Sequence, residues 1–175
     1  MVVSNSQLLS RSRMQIRTAL PEELPILENL ARAIWPLTYK DIISSEQIAF
    51  MLDWMYSTPL LLKQQREGHE FYILDTKGQD VAFMALEWTD EQSKLKINKL
   101  YVLPSFHGKG IGKKLIEKSI ERAEFTGVKQ IYLQVNKDNK AVEFYKKVGF
   151  HIEKEAIFDI GHGFVMDDYI MAYSL

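Results

Sequence analysis

Hydrophobic residues along the 175-residue chain recur with two periods, and the switches between them mark the expected elements. Residues 14–18 alternate as a strand does. Pro21, Glu22 and Glu23 then supply the proline and acidic first turn of a helix running to about Ile34. A second helix is expected from Ser44 or Ser45, where Ser44-Ser45-Glu46-Gln47 offers capping groups and Ile48, Met51, Leu52 and Met55 share one face. Residues 71–74 and 81–88 read as strands joined by a Gly-containing turn, and 94–103 as a third strand stopped by Pro104, together an antiparallel meander. A helix over 109–125 carries Ile111, Leu115, Ile116, Ile120 and Ala123 on its buried side, and Gly127 suits its C-cap. A strand at 131–135, a helix at 139–147 and a closing strand pair at 149–158 and 163–174 complete a mixed α/β pattern. Its centre, 94–135, has the length of a βαβ crossover.

Composition adds exclusions. With 46% hydrophobic and 26% charged residues the chain has material for a sizeable core. The absence of cysteine removes disulfides, thiolate metal sites and a covalent cysteine intermediate, and it makes cytoplasm the default location. The first thirteen residues are polar and Ser-rich, so they are expected to form a flexible extension to a single domain over 14–175. No signal-peptide core and no apolar run approaching the ~18 residues of a membrane span is present. The four histidines lack metal-ligand spacing, so no metal is expected.

A formal net charge of -1 argues against bulk nucleic-acid binding, but the sum hides an asymmetry. Residues 94–154 carry fourteen Lys or Arg against six Asp or Glu, a balance of +8, which leaves the remainder at -9.

The chemistry concentrates at Pro104-Ser105-Phe106-His107-Gly108-Lys109-Gly110-Ile111-Gly112-Lys113-Lys114, between a strand and a helix. Alternating glycines let backbone approach a ligand, and first-turn amides with the helix dipole behind them favour a phosphate. A Walker loop is a poor match, because Gly108 to Gly112 encloses three residues and Lys114 stands where a hydroxyl belongs. A dinucleotide fingerprint is equally poor, since the spacing is Gly-x-Gly-x-Gly and the loop follows a later strand.

The run from His107 to Gly112 resembles the acetyl-CoA motif [Gln/Arg]-x-x-Gly-x-[Gly/Ala] of the GCN5-related N-acetyltransferase (GNAT) superfamily, with His107 replacing the usual Gln or Arg. A second stretch, Val135 and Asn136 through Asn139, Ala141, Phe144-Tyr145 and Gly149-Phe150, is similar to the family's downstream motif, with either Asn136 or Asn139 in the asparagine's place. Leu100-Tyr101-Val102, Ser105-Phe106, residues 144–150 and the 168–172 ending further resemble PaiA-type polyamine acetyltransferases.

The resemblance implies a mostly antiparallel mixed sheet with a central β-loop-α-β acetyl-CoA unit. Cofactor contacts would come from Leu100, Tyr101 and Val102, from His107, Gly108, Lys109, Gly110, Ile111, Gly112 and Lys113, and from Asn136, Asn139 and Tyr145. Leu100 and Val102 would offer free main-chain groups to the pantetheine arm, and Tyr145 would protonate the departing thiolate. The base is less clear, because Lys96, Asn98 and Lys99 occupy the strand where many relatives carry Glu. Glu87 on the neighbouring strand is the expected substitute, with Asp159, Asp167 and Asp168 as further carboxylates. Trp35, Tyr39, Glu87 and His162 are expected at the acceptor pocket, among other aromatics of the first helices and last hairpin.

The implied activity is direct acetyl transfer to a primary amine, with a polyamine such as spermidine or spermine favoured, by a monomer or homodimer. A protein or peptide acetyltransferase and a non-catalytic acyl-CoA sensor are the alternatives.

Overall fold

A computed structural model describes residues 14–89 and 93–175; the expected extension at 1–13 lies outside them. Seven strands form one sheet in the order β1-β2-β3-β4-β5-β7-β6. They are β1 (Met14–Thr18), β2 (Glu70–Thr76), β3 (Gln79–Trp88), β4 (Lys94–Val102), β5 (Gln130–Asn136), β6 (His151–Gly161) and β7 (Phe164–Ser174). All neighbours are antiparallel except β4 and β5. Helices α1 (Leu24–Tyr39), α2 (Ser45–Tyr56) and α3 (Thr58–Arg66) cover one face, where Leu27, Ile34 and Leu61 meet Phe71, Ile73 and Phe83. On the other face, α4 (Ile111–Thr126) and α5 (Ala141–Lys147) pack Leu115, Ile116 and Val142 on Leu74, Met84 and Leu133. Strands buried on both sides explain the near-continuous apolar run of β3. Among the described residues no helix is long and apolar enough to cross a membrane.

Three local features depart from the sequence expectation. First, α1 continues past Ile34 to Tyr39 through Pro36. The proline removes one helical donor, but Trp35 and Tyr39 are buried one turn apart, and the Thr38 hydroxyl donates to the Ile34 carbonyl at 3.0 Å. Burial of two large aromatics outweighs one missing hydrogen bond. Second, α3 was not anticipated. Its N-terminus is capped from another helix, the Glu28 carboxylate accepting the Thr58 amide at 2.6 Å, a contact that local pattern does not reveal.

Third, β4 carries a bulge. Leu86 pairs with Ile97 and Ala85 with Lys99, leaving Asn98 as the extra residue. Leu95 and Ile97 face α4. Beyond the bulge the alternation flips, so Leu100 and Val102 face α4 while Lys99 and Tyr101 turn towards α1–α3.

A polar cluster ties α4 to the sheet. Arg122 donates two bonds to Glu70, at 2.7 and 3.0 Å, and Tyr72 and Trp88 donate to the same carboxylate. Burial pushes the Glu70 carboxyl up, but the hydrogen bonds from Arg122 and Tyr72 and the Arg122 charge outweigh it and hold the group below its ordinary range. A carboxyl depressed in the folded state stabilises the protein above its unfolded pKa of 4.5 and loses that contribution as pH falls. Glu70→Gln is therefore expected to cost about 2 kcal/mol at pH 7 in urea unfolding. The gap to wild type should narrow as pH falls below 4.5 and through the lowered folded value; a gap independent of pH would contradict the assignment.

Candidate active site

Parallel pairing of β4 with β5 runs only from Lys94↔Gln130 to Ile97↔Leu133, after which the strands diverge. The bulge at Asn98 sits at the point of divergence. A groove of about 1360 Å³ opens there, walled by the far end of β4, the N-terminal half of α4, the start of α5 and the end of α1.

Backbone direction along β4 follows from one bond. The Leu103 amide donates to Val81 of β3, so by alternation Tyr101 shares that side, and Leu100 and Val102 turn their N–H and C=O groups to the groove. The expectation of free groups needs one correction. His107 donates from Nε2 to the Val102 carbonyl at 3.0 Å, so that oxygen is already engaged. The residue that departs from the Gln/Arg pattern thus ties the loop back to the strand.

The loop itself has the geometry of an anion cradle. Gly108 and Gly110 have φ of 76° and 79°, the left-handed region that favours glycine. The first amide of α4 with a backbone acceptor is that of Lys114, which bonds the Gly110 carbonyl. Among the described residues the amides of 108 to 113 therefore have no protein acceptor, and they stand at the positive end of a sixteen-residue helix. Gly112 has another role. A Cβ there would lie 2.9 Å from Cζ of Phe144, so the glycine is what lets α5 close against α4. Ile111 is a core residue and Lys109 lies over the Phe106 ring, so their contribution to the cradle is through backbone alone. Lys113 lines the groove with Lys140 and Lys147, and Glu117 and Asp138 sit among them.

The two asparagines now separate. Asn136 is buried, with Oδ1 accepting the Asp138 amide at 2.9 Å. Asn139 lines the groove, caps α5 through the Ala141 amide at 2.9 Å, and donates to the Tyr39 hydroxyl at 3.3 Å. Tyr39 also shares a 3.0 Å hydrogen bond with Tyr101. Tyr145 lines the same wall, 6% exposed, and its hydroxyl makes no hydrogen bond among the described residues. Burial, with Tyr39 nearby, pushes its pKa above the ordinary phenol value, so it stays protonated at neutral pH.

Other expected residues lie elsewhere. Trp35 is core, its ring tilted against Tyr39 with centroids 4.3 Å apart, and it supports the groove without lining it. His162 sits in the β6–β7 turn against Phe50 at 4.6 Å, outside the groove wall. Glu87 is also outside the wall, accepting from Asn98 at 2.8 Å with His69 and Lys96 beside it. The neighbouring His69 ring, the Lys96 charge and the Asn98 hydrogen bond lower its carboxyl to about 2, a poor proton acceptor at neutral pH. Its partners come from two separate segments, β4 and the residue before β2, which its position on β3 alone did not show.

One residue was missed. Lys99, 3% exposed, donates to Asn98 at 2.6 Å and to Gln64 at 3.1 Å, and its ammonium stands 5.5 Å from the Tyr56 ring centroid. Burial lowers its pKa to about 7. The bulge turns it from the α4 face, where the alternation of Leu95 and Ile97 would have sent it, to the α1–α3 face.

Residues 67–152 match the Acetyltransferase (GNAT) domain family, which encompasses the cradle, the splayed strands and Tyr145. The chain belongs to the GNAT superfamily. As a GNAT protein it is an N-acetyltransferase that uses acetyl-CoA. The fold is similar to that of the PaiA N-acetyltransferase of Thermoplasma acidophilum, solved with coenzyme A. The TM-score is 0.80 at 27% identity, over 93% of this chain and 99% of that one. In sequence the chain is 38% identical over 103 residues to an uncharacterised N-acetyltransferase of Methanocaldococcus jannaschii, covering 55% of this chain and 44% of that protein. It is 27% identical over 144 residues to the spermidine N(1)-acetyltransferase of Thermoplasma acidophilum, covering 80% and 89%. The unbonded amides, the two left-handed glycines and the open edge of β4 fit this GNAT cosubstrate.

The close approach at Gly112 is testable by packing alone. Gly112→Ala is expected to cost about 1–2 kcal/mol in thermal or urea unfolding, because the Phe144 ring must move. Gly112→Ala/Phe144→Leu should recover part of that loss, and strict additivity of the two changes would contradict the contact.

Proposed function

We propose that the groove takes acetyl-CoA with its phosphates on the amides of 108 to 113 and its pantetheine arm along the open edge of β4 at Leu100 and Val102. The observation that carries this reading is the run of six unbonded amides beside a groove that Tyr145 also lines. An anionic ligand on such a cradle is held by backbone dipoles, so the side chain at His107 need not take part. Lys113 and Lys147 on the groove wall add positive charge for the same end. Tyr39 and Asn139 close the groove towards α1.

The thioester supplies an acyl group whose release as thiolate needs a proton. Tyr145 is the donor, a phenol kept protonated by its buried setting and free of other hydrogen bonds. The acceptor is a small primary amine, with a polyamine favoured. Similarity to a spermidine N(1)-acetyltransferase over four-fifths of the chain supports that choice. An aliphatic amine of pKa ~10 is about one part in a thousand neutral at pH 7, a penalty of ~4 kcal/mol, so a proton acceptor belongs in the site.

Thiol release from acetyl-CoA against spermidine, spermine, amino acids, aminoglycosides and peptide N-termini tests this reading. Turnover is expected with the polyamines. Tyr145→Phe should lower kcat by about 10- to 100-fold while CoA affinity changes less than about threefold. CoA binding without acetylation of any amine would favour a sensor, and turnover confined to peptides would favour a protein acetyltransferase.

A further inference from the structure

The carboxylates of the C-terminal hairpin differ sharply in what surrounds them. Asp159 accepts the Gly161 amide within its own turn at 2.9 Å. Asp167 is half exposed and bridged at 2.8 Å by Lys137, which also holds Glu155 of β6. Asp168 is unlike both. It is 6% exposed, and its Oδ1 is buried with no hydrogen-bond partner among the described residues.

Its place in the sheet gives that orphan oxygen a meaning. Asp168 pairs with Asn136, the last residue of β5, where the strand turns into the 138–140 loop that lines the groove. Met166, two residues away, packs against α1 and α2, while Tyr169, Met171 and Tyr173 pack on the opposite face. Asp168 therefore faces the α1 side, behind the groove wall, where its charge is felt by the Tyr39 phenol that lines it. A buried carboxylate left unpaired costs free energy that a structural role would not explain.

We propose that Asp168 is the first proton acceptor for the attacking ammonium, and so the counter-charge that selects a cationic amine. The assignment rests on the small-amine reading above. An acceptor R–NH3+ entering beside Tyr39 gives one proton to the Asp168 carboxylate, leaving R–NH2 and a neutral carboxyl. The amine lone pair forms the C–N bond to the acetyl carbon as the C–S bond breaks, and Tyr145 gives its proton to the sulfur. The remaining surplus proton on nitrogen restores the Tyr145 hydroxyl, and Asp168 returns its proton to water. The balance is R–NH3+ plus acetyl-CoA giving the acetamide, CoA thiol and one H+.

The titratable surroundings fit the task. Burial, with Asp167 beside it, raises the Asp168 carboxyl to about 6, which makes it a base near neutral pH. Tyr39 of α1 and Tyr101 of β4 are pushed up by burial and stay neutral over the same range. Asn136 and Ala156 opposite it on β5 and β6 carry no charge. Gln47, the α2 side chain bonded to β7 at Val165, is neutral too.

Asp168→Asn tests the proposal with three readings on the full chain. For spermidine, kcat/KM at pH 7 should fall by about 100-fold, and the deficit should shrink as pH approaches that of the free amine, where no proton acceptor is needed. Wild-type kcat/KM should fall below about pH 6 as Asp168 protonates, a limb the variant lacks. Calorimetric titration of spermidine into the CoA-bound protein should show weaker binding by the variant with CoA affinity unchanged. A carboxyl whose folded pKa exceeds its unfolded value destabilises once ionised, so the neutral isostere should melt at the same temperature or higher at pH 7.5. A constant deficit across pH, unchanged spermidine affinity or a lowered melting temperature would overturn the role. If wild type turns over and the variant follows it at every pH, Asp168 alone is misassigned. If wild type acetylates no small amine, the reading beneath it fails as well.

Discussion

Everything at the groove depends on the point where β4 and β5 stop pairing. A parallel pair in a covered sheet ordinarily satisfies its backbone groups to the end, and leaving them unpaired inside a protein is costly. Here the ladder ends at Ile97↔Leu133, one residue before the bulge at Asn98. The extra residue adds twist and carries the remaining strand away from its neighbour. The Leu100 groups and the Val102 amide then face open space with the geometry of a strand edge. An extended chain or water must satisfy them, and His107 covers only the Val102 carbonyl.

The bulge also decides which side chains meet the site. Without it Lys99 and Tyr101 would follow Leu95 and Ile97 towards α4. With it they turn to α1–α3, where Tyr101 reaches Tyr39 and Lys99 is buried against Tyr56 and Gln64. The extension of α1 through Pro36 completes the arrangement from the other side, since Tyr39 is its last residue. Two local irregularities, each unfavourable alone, converge on one hydrogen bond.

Much of this was legible in the sequence, and the rest was not for definable reasons. The period of apolar residues located all seven strands and four of the five helices, because each buries one face. The glycine loop was legible because its function resides in backbone, which spacing specifies. What periodicity cannot show is a register shift. Glu87 looked like a free carboxylate on a strand, yet the folded sheet surrounds it with His69, Lys96 and Asn98, and its partners could not be read one strand at a time. Lys99 shares the parity of Leu95 and Ile97, and only the bulge at Asn98 sends it to the opposite face. Asp168 and Asp167 were indistinguishable as neighbours in sequence, whereas strand alternation sends one to solvent and the other into the fold. The linear division into a +8 segment and a -9 remainder is only partly kept. Lys113, Lys140 and Lys147 do line the α4–α5 wall, but Lys40 stands beside Asp41 on the α1 side.

The electrostatics of the groove therefore rest on a few buried groups, not on the surface count. Tyr39, Tyr56, Tyr101 and Tyr145 are all pushed up by burial and remain neutral at any physiological pH. Lys99 and Asp168, on the same face of the sheet, titrate in the window that matters, at about 7 and about 6. As pH rises through that window Asp168 acquires its negative charge and Lys99 gives up its positive one, so both changes act in one direction. The α1-facing side moves from a setting that repels an ammonium to one that attracts it, and buried charges are screened by salt far less than exposed ones. Lys137, pushed up by its hydrogen bonds to Asp167 and Glu155, keeps its charge throughout that interval and contributes only a constant background. A neutral tyrosine wall with two opposed titrating groups behind it couples acceptor charge to pH without requiring any movement of the fold.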